Sequence, residues 1–172
     1  MATTPPFGRA AESDALGAPG LYEVRAGPQD EPLFCGPAAI CAVTGAPVAE
    51  IVEVIKMMRH DDTFVSGVLR EEMIQTLAEL GYHAALSLAN TPDSRTGPEP
   101  GVRVWLTSRL KPDELNIVIA DGEEEWHAFA VCGDRFVDNG NRTPTRFSDS
   151  EREFGRVVHV LDVTACALEV TA

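Results

Sequence analysis

Two rhythms of apolar and polar positions divide this chain. From Cys35 to Leu80 apolar side chains recur at helical spacing, and from Asn116 onward they alternate as in strands. Ala38, Ala39, Ile40, Ala42 and Val43 make a segment that is nearly all apolar, which predicts a buried central helix beginning at Cys35 or Gly36. Pro37 suits its first turn, where no amide donor is needed. Gly45 ends it. A second helix is expected from about Pro47 to Met58. Val48, Ile51, Val52, Ile55 and Met58 face inward, and Glu50, Glu53 and Lys56 face out. His60 to Thr63 reads as a loop. A third helix, from about Val68 to Leu80, carries the stripe Met73, Ile74, Leu77 and Leu80, and Gly81 stops it.

Strand patterns dominate the rest. Leu21 to Val24 reads as a short strand and Tyr82 to Leu88 as another. Asn90 to Gly101 holds prolines and polar turn-formers and reads as a surface loop. Val102 to Leu110 fits helix or strand, and we read it as helix. Asn116 to Ala120 is a strand, followed by an acidic turn from Asp121 to Glu125. Trp126 to Cys132 and Arg135 to Asp138 are strands joined by the turn pair Gly133-Asp134. Arg156 to Thr164 closes the series. Helices first and an antiparallel sheet second make the fold class α+β. Residues 1–20 are rich in Pro, Ala, Gly and Thr without periodicity and read as a flexible tail. That leaves residues 21–172 as one domain, long enough for a real core.

Charge narrows the partners. The net charge of −13 argues against nucleic acid, because phosphate contacts need clustered Lys and Arg. It argues equally against anionic membrane surfaces. The four cysteines, Cys35, Cys41, Cys132 and Cys166, form no C-x-x-C pair, so a structural zinc site is not expected. We read all four as reduced, and the setting as cytoplasmic. No signal-peptide pattern and no apolar run of membrane-spanning length is visible. No metal or organic cofactor is expected, and the expected partner is a protein or peptide substrate.

Cys35 carries the candidate chemistry. A helix N-terminus lowers a thiol pKa, and a neighbouring imidazolium lowers it further. His127 opens a strand directly after the acidic turn, placed to reach a helix end. Cys41 sits mid-helix among apolar residues, Cys132 ends a strand and Cys166 lies near the C-terminus, so these three read as bystanders. His60, His83 and His159 read as surface or structural residues. If Gly133-Asp134 is a two-residue turn, Cys132 pairs with Arg135, Val131 with Phe136 and Phe129 with Asp138. Asp138 then shares a sheet face with His127 and lies diagonal to it, where it would orient the imidazole. A bulge would bring Asn139 there instead, and Asp138 to Asn141 also reads simply as a turn. Gln29, six residues before Cys35, is the candidate oxyanion donor beside the Cys35 backbone amide.

The segments Pro28 to Thr44 and Glu125 to Gly140 resemble the papain-like cysteine peptidase superfamily, in which a glutamine precedes the nucleophile by this interval. Cys35-Gly36-Pro37-Ala38-Ala39 is most similar to the bacteriocin-leader peptidases and related small bacterial and phage proteins. The resemblance implies a papain-like fold, a thiolate–imidazolium pair attacking an amide, and an acyl-enzyme hydrolysed without metal. Its His-to-Asp interval is shorter than in papain itself. The same scaffold also supports transpeptidation, as in phytochelatin synthases, and inactive binding proteins such as phage factors that occupy a host protein.

Overall fold

The three expected N-terminal helices form, and each sits on the same side of one sheet. The computed structural model describes residues 20–25, 32–61, 64–87, 101–102, 106, 111–121, 126–150 and 154–166. The helices are α1 (Cys35–Thr44), α2 (Val48–Arg59) and α3 (Arg70–Glu79). The strands are β1 (Tyr82–Leu86), β2 (Leu115–Asp121), β3 (Trp126–Cys132), β4 (Arg135–Val137), β5 (Thr145–Arg146) and β6 (Arg156–Ala165). They form a six-stranded antiparallel sheet in the order β1-β6-β2-β3-β4-β5. The architecture is therefore α+β, with three N-terminal helices packed on a C-terminal sheet. Among the described residues no single helix is long and apolar enough to cross a membrane.

Alternation along the strands sorts side chains onto two faces. Ala84, Ile117, Ile119, Ala128, Ala130, Leu161 and Val163 face the helices, where they meet the buried run from Ala38 to Val43. Val118, Phe129, Val131, Phe136, Val157 and Val160 face the other way, under Val102, Leu106, Phe147 and Phe154. Val157 and Val160 share a face although three residues apart, because β6 bulges between its pairings with Ile119 and Ala120. Phe129, Phe136, Phe147 and Phe154 pack ring on ring, with centroids 4.7 to 6.5 Å apart.

Several local readings change. Leu21 to Val24 forms no strand; instead the Tyr22 amide donates to Ala42 O and the Val24 amide to Arg142 O, both at 2.8 Å. In α2, Val54 is buried while Val52 and Met58 are only half-buried, because the helix packs against both α1 and α3. α3 starts at Arg70 rather than Val68. The Leu69 amide donates to the Glu72 carboxylate at 2.7 Å, which holds Leu69 extended as the cap. Arg59 clamps the same carboxylate from α2 through Nε and Nη2, at 2.7 and 2.8 Å. β4 ends at Val137, one residue early, and β5 is too short to leave a pattern. The two described positions within the ambiguous segment, Val102 and Leu106, are helical. Residues 1–19 of the expected tail, most of the loop from Asn90 to Gly101, and the acidic turn after Asp121 lie outside the described residues.

Candidate active site

Cys35 is the first residue of α1. Its N-cap, Phe34, has extended backbone (φ −87°, ψ 154°) and no side chain caps the helix. The helix-start amides are thus directed at whatever lies beyond the N-terminus, and Pro37 removes a donor that would otherwise need a partner. What lies there is the thiol itself and the edge of β3. β4 pairs with β3 only from Ala130 to Cys132. Beyond that the β3 edge is not covered by β4, and the Cys35 thiol takes the backbone amide of Ala128. The Gly36 amide and the His127 ring also hydrogen-bond the thiol.

His127 is held from its other side. Its Nε2 lies 3.0 Å from Asp138 Oδ2, which leaves Nδ1 to face Cys35. The ring also stacks beside Phe129, with centroids 6.0 Å apart. Asp138 is fully buried. Its Oδ1 accepts the amides of Gly140 and Asn141 at 2.8 and 2.5 Å. The turn reading and the orienting reading of Asp138 are therefore not alternatives, since one oxygen makes the turn and the other meets the imidazole. Asn139 points elsewhere and donates from Nδ2 to Leu33 O at 3.2 Å. That bond ties the turn to the strand-like approach into Cys35.

The hairpin explains why Asp138 and not Asn139 meets the ring. Cys132 pairs with Arg135, Val131 with Phe136 and Ala130 with Val137, without a bulge. Gly133 has φ 55° and Asp134 has negative φ, the signature of a type II′ turn with glycine first. A side chain at Gly133 would also press on Pro112 O, 3.1 Å from its Cβ.

Opposed effects act on the thiol. Burial pushes the Cys35 pKa up, and this is the largest single influence. The His127 hydrogen bond, the Ala128 amide, the His127 charge and the Gly36 amide together outweigh it, so the thiol is held below its ordinary value. The other cysteines behave differently. Burial raises the Cys41 thiol, against the Arg25 backbone and charge, and burial with the Asp113 charge raises Cys132. Cys166 is exposed.

Cys35, His127 and Asp138 thus come together from a helix start, a strand start and a strand end. Gln29 lies outside the described residues. Sequence reasoning misses two contacts: the Ala128 amide at the thiol and the bond from Asn139 to Leu33 O. Asp138-Asn139-Gly140-Asn141 does carry the signal of a side-chain-capped turn, but the Leu33 carbonyl is 106 residues away in sequence and leaves none. His159 is not part of this line; it sits at 3.5 Å from Arg70 Nη1 and meets Trp126 edge-on at 5.9 Å. Among the described residues no group of three or more His, Cys, Asp or Glu side chains is placed to hold a metal ion. No protein-family model matches the chain, and no curated protein matches it.

Proposed function

We propose that this chain is a papain-like thiol hydrolase that cleaves a peptide or other amide bond. The observation that carries the reading is the thiol of Cys35, lowered at a helix start by an imidazole whose far nitrogen is held by a fully buried carboxylate. Three helices ahead of an antiparallel sheet, with Cys35 opening the first helix, support this reading. In this reading the Cys35 thiolate attacks the amide carbonyl carbon. The Cys35 amide at the helix start faces the oxygen as it gains charge, and Gln29 is the proposed second donor. His127 delivers its proton to the leaving nitrogen as the C–N bond breaks, forming a thioester. Water, deprotonated by His127, then attacks the thioester; the C–S bond breaks and the carboxylic acid leaves. Asp138 acts as a positioning residue: it fixes the ring with Nδ1 toward sulfur and stabilises the imidazolium.

The test is selective alkylation. Iodoacetamide at mild pH should label Cys35 well ahead of Cys41, Cys132 and Cys166 in the folded protein, and His127→Ala should abolish that lead. Equal labelling of Cys35 and the exposed Cys166 would instead favour a binding protein on the same scaffold. Mass spectrometry of a peptide pool incubated with wild type and with Cys35→Ala then separates hydrolysis from transfer to an amine. New carboxyl termini mean water is the acceptor, and new amides mean it is not.

A further inference from the structure

We propose that Asn139 is a positioning residue of the candidate site, holding the chain that enters Cys35 in register with the His127 ring that Asp138 orients. The inference rests on the reading of Cys35 and His127 as the reacting pair.

The thiol and the imidazole come from separate parts of the molecule, one on a helix and one on the sheet. α1 is buried from Gly36 to Val43, so packing fixes its body. Cys35 opens that helix and is only half-buried. Its N-cap, Phe34, contributes no side-chain bond. The direction from which the chain enters Cys35 is therefore set by what holds Leu33 and Phe34. Phe34 meets Phe64 edge-on, with centroids 5.1 Å apart, but hydrophobic packing is non-directional. Asn139 supplies a directional tie, from Nδ2 to Leu33 O at 3.2 Å. A carbonyl only accepts, so it is the amide nitrogen of Asn139 that must face it.

The anchor is itself braced. The Asp138 amide donates to Asn141 O at 2.9 Å, and Asp138 Oδ1 accepts the Gly140 and Asn141 amides. Asn141 Nδ2 donates to Thr143 O at 3.1 Å. Just past the turn, Arg142 O accepts the Val24 amide at 2.8 Å, a second tie to the N-terminal part of the chain. Two neighbours on one closed turn thus hold the two halves of the reacting pair. Asp138 meets the His127 ring at 3.0 Å, and Asn139 holds the residue two before Cys35. A drift of the helix start away from the ring works against one of these bonds. Such a drift matters, because a misplacement of about 1 Å can cost about 10²-fold in rate. The titratable groups that face one another here are Cys35, His127 and Asp138, and a wider gap between the first two weakens the imidazole's hold on the thiolate.

The test uses three variants of the full chain. Asn139→Leu keeps the size and removes the donor. Asn139→Ser withdraws the donor with a smaller change. Asn139→Gln keeps the donor on a longer arm. Asn139 does not have positive φ, so none of them strains the backbone. Iodoacetamide labelling of Cys35 against pH is read beside the urea midpoint. Asn139→Leu and Asn139→Ser should raise the labelling midpoint and slow labelling at mild pH by about 10-fold. His127→Ala should do more, and Asn139→Gln should recover part of the loss. A lowered urea midpoint with an unchanged labelling midpoint makes Asn139 merely structural and overturns the proposal. So does a Gln variant no better than Leu. If Asn139→Leu does not fold, Asn139→Ser carries the comparison; if neither folds, the residue serves the fold and the proposal falls. If iodoacetamide does not single out Cys35 in the wild type, the nucleophile reading fails and takes this one with it.

Discussion

The two oxygens of Asp138 have separate duties, and this makes its amide variant informative. In Asp138→Asn the side-chain oxygen can still accept the Gly140 and Asn141 amides. The new NH2 then faces His127 Nε2 and must donate to it. The ring proton is thereby forced onto Nδ1, toward a sulfur that needs a base there. We expect turnover to fall by about 10² to 10⁴-fold with little change in melting temperature. Asp138→Ala should differ, because it strips partners from two turn amides and costs stability too, on the order of 1–3 kcal/mol. Comparing thermal melts with turnover for the two variants separates orientation from turn formation. His127→Ala gives the pH prediction. It removes the lowering influences of the imidazole and leaves burial, which raises the thiol, opposed only by the Ala128 and Gly36 amides. In wild type the thiolate persists below the ordinary thiol range and is lost only as pH falls through the depressed value. The midpoint of alkylation against pH should therefore move up in His127→Ala.

α1 and α3 approach each other over Gly36, where an added methyl would meet Val68 Cβ at 2.9 Å and Met73 Cε at 3.1 Å. Gly36→Ala should destabilise by about 1–3 kcal/mol through overpacking. Val68→Ala keeps the Cβ but removes the Cγ2 that would lie 3.0 Å away, and should restore part of that loss in the double variant, a coupling that urea midpoints for the four proteins would measure. This contact also marks the boundary of what the residue pattern reveals. α1 is legible because its run of Ala, Ile and Val is buried all round and bracketed by Pro37 and Gly45. β2 and β3 are legible because they are the two adjacent apolar strands of the sheet interior. The meeting of His127 with Asp138 is legible because a two-residue turn transmits register without slippage. The inward turn of Val54, the start of α3 at Arg70 and the Ala128 amide at the thiol are not legible. Each depends on which segments, distant in sequence, are packed against the element, and periodicity carries no record of that.

The sheet divides the molecule into a helix-backed core and a phenylalanine-rich one, and the candidate site stands at one end of both. Phe129 belongs to the second core yet lies beside the His127 ring, at an interplanar angle of 23°. Phe129→Ala should cost about 3–5 kcal/mol. Unlike truncation of Phe147 at the core margin, it should also disturb the thiol, raising the alkylation midpoint because the imidazole loses its support. Denaturant titration and the alkylation profile, read on both variants, check the pair of expectations. The place of β6 has a further consequence. It is the last of the described elements to be synthesised, yet it lies between β1 and β2 and is the only strand that pairs with β1. A nascent chain that has emitted all three helices and the first five strands still lacks the strand that joins β1 to the rest of the sheet. Until β6 emerges, β1 and β2 each keep an open edge, so the sheet closes only at the end of the described chain's synthesis.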